Sequence, residues 1–271
     1  MKMINRIFLS VALVVAISSH AFAGKFEDGW QEFLRRDFAA AFKIWKPLAE
    51  NGDKYAQYKI GFMYDNGLGI SQNHKEALRW YKLAANQGEA EAQNNLGRMY
   101  YEGRGVAKNH KEALKWYKLA ARQGLATAQS SLGWIYDQGV GIVNNREEAV
   151  RWYQLAANQG DAMAQNNLGF MYEKGIGVIQ DNREAVKWYR LAAIQGHVSA
   201  QNNLGVMFDT GRGVAQSHVR AHVWYYIAAQ NGNKDSDKNR DNIEKIMKSD
   251  DISKSKEIAR RCLTSVYREC E

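Results

Sequence analysis

The chain has one proline and two cysteines in 271 residues, and its only long apolar run lies at the very start. With 23 glycines beside that single proline, it is not built from irregular loops, which use both residues as turn formers. A charged fraction of 24% and a hydrophobic fraction of 45% exclude a disordered or collagen-like chain. No second apolar run follows the first, which excludes a polytopic membrane protein. Enzyme signatures are equally scarce: there is no phosphate loop, no nucleophile elbow and no Cys-His pairing.

The apolar run has a purpose outside the fold. Lys2 and Arg6 make a positive start, Ile7 to Ile17 is apolar but for Ser10, and Ala21-Phe22-Ala23 presents small residues where a signal peptidase reads them. A membrane anchor needs about 20 apolar residues. Residues 1–23 therefore read as a secretory signal cleaved between Ala23 and Gly24. The expected product is periplasmic or secreted, with no stable membrane insertion after cleavage.

What is abundant is repetition. Trp80, Trp116, Trp152, Trp188 and Trp224 stand 36 residues apart without an insertion, each followed by a tyrosine. Twenty of the 23 glycines follow the same clock, beginning with Gly61, Gly67, Gly69 and Gly88. Each period reads as two helices. The first carries Ala56, Ile60, Gly61, Met63 and Tyr64 on one stripe, with Gly61 allowing close approach, and ends at Gly67 in a left-handed conformation. Ile70, Val106, Ile142, Val178 and Val214 are expected to plug the loop into the core. The second helix begins after Asn73, Asn109, Asn145, Asp181 or Ser217, all good N-caps. Glu76, Glu112, Glu148 and Glu184 three residues on predict capping boxes, lost only at Arg220. Its buried face is Ala77, Trp80, Tyr81, Ala84 and Ala85.

These letters, seen in Ala92-Gln93-Asn94-Asn95-Leu96-Gly97, Met99-Tyr100, Gly103-Arg104-Gly105-Val106, Glu112-Ala113, Trp116-Tyr117, Leu119-Ala120-Ala121 and Gln123-Gly124, resemble the Sel-1-like repeat family of tetratricopeptide-like solenoids. Five copies cover 53–232. The resemblance implies an all-α, right-handed α/α superhelical solenoid of helix-turn-helix repeats, used as a non-catalytic protein-binding scaffold without a cofactor. Residues 24–52 read as an N-terminal capping helix pair, with an abbreviated first helix at Phe26 to Leu34 and the lone Pro47 in an irregular part. Val223 and Tyr226 replace charged residues of the outer column, so the last repeat needs a cover. Within 233–271, helices near 237–248 and 251–266 can supply it.

In such a solenoid the first helices line the inner, concave surface. Their non-core positions give two columns: Phe62, Arg98, Trp134, Phe170 and Val206, and Lys59, Asn95, Ser131, Asn167 and Asn203. Rings beside amides suit an extended peptide or another protein. Tyr55, Tyr58, Met163 and Asn166 extend the surface, although packing between adjacent turns also accounts for single residues in it. Gln57 and its copies Gln93, Gln129, Gln165 and Gln201 suggest a structural role, bonding a neighbouring loop. An immunity protein against a delivered toxin is one form of the scaffold. A peptidoglycan-binding or beta-lactam-recognising cell-wall protein is the alternative from another class.

The net charge of +8 does not favour nucleic acid as a partner, because Arg79, Lys82, Lys115 and Lys118 fall on outer second helices and form no long stripe. His218 and His222 have the i, i+4 spacing of a metal pair but no third ligand, so no metal is expected. Ser253 and Lys256 match only the spacing of a beta-lactamase nucleophile. Cys262 and Cys270 are expected to form a disulfide in an exported chain. In one helix their Cα atoms would lie about 12 Å apart. Pairing therefore requires the helix to end near Ser265 and the chain to fold back.

Overall fold

A computed structural model describes residues 24–267 and Cys270. The expected signal segment, 1–23, lies outside the described residues. Within them the chain is helical without strands. Helix α1 spans 24–34. It is followed by α2 (Phe38–Glu50), α3 (Lys54–Asn66), α4 (His74–Asn86), α5 (Ala90–Glu102) and α6 (His110–Arg122) in one compact unit that ends at Gln123. A second unit starts at Gly124 and holds α7 (Ala126–Gln138), α8 (Arg146–Asn158), α9 (Ala162–Lys174), α10 (Asn182–Ala193), α11 (Val198–Thr210), α12 (His218–Gln230), α13 (Lys234–Glu244) and α14 (Ser249–Thr264). Within each unit, every first helix packs on its own second helix, and that helix packs on the next first helix. This is a helical solenoid.

The pairing follows from side-chain size. Gly61 in the middle of α3 lies against the Tyr81 ring of α4, where an added Cβ would come within 2.8 Å of the ring. Gly133 and Tyr153, Gly169 and Tyr189, and Gly205 and Tyr225 repeat that contact. A glycine on one helix is thus the seat for a tyrosine on its partner. Tyr81, Tyr153, Tyr189 and Tyr225 are almost wholly buried as a result. The alanines beside them, Ala84 and Ala85 with their copies, let the next repeat approach.

Helix ends follow the expected residues, with one change. Asn73 Oδ1 accepts from the amides of Lys75 and Glu76, and Gly67 closes α3 at φ 68°. The reciprocal half of the capping box does not form. The Asn73 amide donates instead to the Tyr64 carbonyl of the preceding helix, as do those of Asn109, Asn145, Asp181 and Ser217 to Tyr100, Tyr136, Tyr172 and Phe208. With that donor taken, Glu76 turns outward to Arg79 at 3.2 Å, and Glu148 and Glu184 pair likewise with Arg151 and Lys187.

Both ends also differ in detail from the expectation. Pro47 sits inside α2 rather than in an irregular segment. The helix tolerates it while Leu48, Ala49 and Trp45 hold the buried face. The two final helices do cover the last repeat: Val223, Trp224 and Ile227 of α12 are buried in one cluster with Ile243 of α13 and Ala259 and Cys262 of α14. Helix α13 starts and stops earlier than expected, because Asn233 caps it through the Ser236 amide.

Candidate functional site

Glutamines tie the repeats together. Gln57 donates to the Ala49 carbonyl at 3.1 Å and accepts from Gln87 at 2.8 Å. Gln93, Gln165 and Gln201 likewise donate to Ala85, Ala157 and Ala193, and accept from Gln123, Gln195 and Asn231. The side chain is a second donor to a carbonyl at the end of the preceding helix, which also accepts from the amide of the closing glycine, Gly52, Gly88, Gly160 or Gly196. A structural reading of this column is therefore sound. The second member of each pair, Gln87, Gln123, Gln195 or Asn231, was not assigned this role from sequence; its place directly before the closing glycine was the available signal.

The inner-column residues divide into two groups. In the first unit, Phe62 packs between Phe33 and Tyr58 at ring separations of 6.4 and 6.5 Å. Lys59 Nζ lies 4.4 Å from the Trp30 ring centroid and 5.2 Å from that of Tyr58, and burial lowers its pKa. Arg98 forms an ion pair with Asp65 at 3.2 Å. These three side chains make contacts within the fold while staying half-buried. Tyr55 is exposed, Tyr58 and Asn95 are half-buried, and α1 adds Phe26 and Trp30 to a pocket of about 340 Å³ with Tyr55, Tyr58, Lys59 and Glu89.

The second unit presents the column more openly. Met163 is 58% exposed, Phe170 44% and Trp134 36%, while Ser131, Asn167 and Val206 are half-buried. Asn203 donates to Asn166 at 3.2 Å. Trp134, Asn167 and Phe170 converge on a pocket of about 230 Å³ together with Asp137, Gln138, Tyr153, Met171 and Ile176.

Acids near the ends of first helices form a further series, Asp65, Asp137, Glu173 and Asp209, missed in the sequence because Tyr101 interrupts it. Asp65, with its side chain fully buried, meets His74 at 3.0 Å, Arg98 at 3.2 Å and Arg104 at 3.1 Å. Glu173 meets Arg212 at 2.8 Å, Lys174 at 2.7 Å and the Tyr189 hydroxyl at 2.8 Å. Burial would raise the Glu173 carboxyl, but hydrogen bonds from Lys174 and Tyr189 and the charges of Lys174 and Arg212 hold it below the usual range. Burial and then the Asp137 charge push the Tyr153 phenol up.

Elsewhere, His222 is fully buried between Glu244, at 2.8 Å from Nε2, and Ser255, at 2.9 Å from Nδ1. The arrangement looks like a nucleophile with its base, but Ser255 has no exposed surface for a substrate to reach. It fastens α12 to the two final helices. Burial lowers the imidazole pKa, against the Glu244 charge. His218 points elsewhere, 3.9 Å from Asp209. Among the described residues no three His, Cys, Asp or Glu side chains group as metal ligands, and no helix is long and apolar enough to cross a membrane. Cys262 and Cys270 are joined, their Cα atoms 4.4 Å apart. The chain folds back after Ser265 through Val266 and Tyr267 at φ 52° and 65°.

A helix-turn-helix solenoid whose repeats are tied to one another by a ladder of buried glutamines belongs with scaffold proteins. The chain is a member of the Sel1 repeat family, whose profile matches residues 20–53, 54–89, 90–125, 126–161, 162–197 and 198–233. The first match covers the α1–α2 pair and so makes six repeats. Among solved structures the chain is similar to c5321, a protective antigen present in uropathogenic Escherichia coli strains displaying an SLR fold, at 31% identity and a TM-score of 0.86. That match covers 92% of this chain but 54% of the antigen, so the chain spans about half its length. A Sel1 repeat protein from Oxalobacter formigenes matches at 32% identity and a TM-score of 0.76, covering 88% of this chain and 99% of that one. Immunity protein Pa5087 from Pseudomonas aeruginosa shares the fold at 20% identity and a TM-score of 0.51, over 78% of this chain and 81% of its own. No curated protein matches the chain.

Proposed function

We propose that the protein is a non-catalytic scaffold that binds another protein through the first-helix face of its second unit. The carrying observation is the pocket of about 230 Å³ lined by Trp134 and Phe170, which at 36% and 44% are, with Tyr55, the exposed aromatic rings among the described residues. Large rings around a recess are the usual anchors of a protein interface. Met163 and Asn167 extend this surface. In the first unit Tyr55 is the exposed counterpart, with Tyr58, Asn95, Phe62, Lys59 and Arg98 half-buried beside it.

We assign 24–52, the first of the six repeats, to the role of N-terminal cap, 53–232 to the five repeats that follow and 233–271 to a C-terminal cap. Export fits a signal at 1–23 and the Cys262–Cys270 bond, since disulfides persist in oxidising compartments. In the periplasm, a delivered toxin is one partner such a scaffold would neutralise, as the name of the Pseudomonas aeruginosa immunity protein illustrates for a protein of the same fold. The test is affinity capture from periplasm by the wild type and by a Trp134→Ala, Phe170→Ala double variant of equal helicity. A partner found by mass spectrometry with wild type should be depleted at least tenfold with the variant. Equal recovery would remove the function from this face.

A further inference from the structure

The inter-repeat ion pairs follow a register of 39 residues. Asp65 is bound by Arg104, and Glu173 by Arg212. In both cases the arginine stands between the two loop glycines of the next repeat, in the sequence Gly-Arg-Gly-Val. Where the acid is absent, at Tyr101, the loop residue is the apolar Val140. Acid and arginine, or neither, is thus the pattern of these three pairs. Asp137 breaks it. Its loop partner is Ile176, in Gly-Ile-Gly-Val, and no cation among the described residues is paired with it; Arg146, at the position from which His74 reaches Asp65, is exposed and makes no such pair. The Asp137 carboxylate instead accepts only from its neighbour Gln138, at 2.8 Å.

We infer that the pocket at Asp137 takes an arginine side chain from the protein partner, in the place that Arg104 and Arg212 fill from within the chain at Asp65 and Glu173. Three observations fit one occupant. The carboxylate lines the pocket, Ile176 at the loop register of Arg104 and Arg212 brings it no internal cation, and the Trp134 and Phe170 rings line the same pocket. Flat rings beside a carboxylate suit a planar guanidinium, which stacks and hydrogen-bonds at once, better than an ammonium. Phe170 already has a cation near its ring, Lys174 Nζ at 5.8 Å from the centroid, but that ammonium is bonded to Glu173.

The inference rests on the second-unit face being the binding surface, and the experiment separates the two. The probe is acetyl-Gly-Arg-Gly-Val-amide, a copy of the chain's own loop at 211–214, titrated into isotopically labelled protein by NMR. The expected result is saturable millimolar binding that shifts the Trp134 indole and Ile176 amide signals. The same peptide with citrulline, a neutral isostere of arginine, should bind at least tenfold more weakly, as should the arginine peptide to Asp137→Asn. Ile176→Arg should abolish binding while raising the melting temperature, because the inserted arginine completes the internal pair. Equal binding of the citrulline peptide, or full binding by Ile176→Arg, overturns the inference. If the peptide fails while partner capture still depends on Trp134 and Phe170, the arginine pocket is wrong and the binding face stands. If it binds while capture ignores those rings, the pocket is real and the proposed function is wrong.

Discussion

Asp65 keeps a buried carboxylate because His74, Arg98 and Arg104 surround it. Removing one cation from such a group costs far more than removing a partner from a surface pair, since the charge left behind cannot regain its water. Arg104→Ala should therefore destabilise the protein by about 2 kcal/mol. Arg79→Ala, which breaks an exposed pair with Glu76, should cost less than about 0.5 kcal/mol; denaturant titration of both variants makes the comparison. Protonation offers a second test. His222 is held below its ordinary pKa of 6.5 by burial, so the unfolded chain takes up the proton first. Its contribution is complete above pH 6.5 and is lost as pH falls through the lowered value. The fall in melting temperature between about pH 7.5 and 5 should be smaller in His222→Gln. Glu89 works in the opposite sense. Burial, then a hydrogen bond and charge from Glu91, push it from 4.5 to about 7. The folded state holds that proton more tightly, so stability declines as pH rises between those values, and Glu89→Gln should melt higher than wild type at about pH 8.

At the scale of the element, glycines of one repeat differ in what they tolerate. Gly69 has φ 69°, and an added Cβ would lie 2.5 Å from the Phe38 carbonyl carbon at the start of α2. Gly88 has φ 84° and open space around it. Gly88→Ala should cost about 1 kcal/mol, the left-handed penalty alone. Gly69→Ala should cost clearly more, because the loop between α3 and α4 would have to move off the start of α2, and thermal melts of the two variants make the comparison. The period of Trp80 and the caps at Asn73 were legible in the chain because each is a local preference repeated in register. The outward turn of Glu76 was not, because it depends on a Tyr64 carbonyl from the neighbouring helix taking the Asn73 amide. The same limit applies to the site. Trp134 and Phe170 could be placed on a helix face by counting. That Arg98 is consumed by Asp65, and that Asp137 lacks a counterpart, depends on contacts across 33 and 39 residues, which helical periodicity does not reach.

For the whole molecule, stability is divided among neighbours instead of being held in one central core, as in other repeat proteins. The C-terminal helices matter for that reason. Removing residues 234–271 would uncover Val223, Trp224 and Ile227, now 2%, 1% and 0% exposed; light scattering should detect self-association of the truncated protein, with the full chain monodisperse under the same conditions. The glutamine links carry a mechanical consequence. Each joins the end of one helix pair to the beginning of the next, and within each unit no tie spans more than neighbouring repeats in this ladder. Under tension applied to the chain ends, such a structure would give way one link at a time, so that extension would rise in steps of about 120 Å per 36-residue repeat. A protein of this construction would lengthen under load while the repeats beyond the last broken link kept their fold.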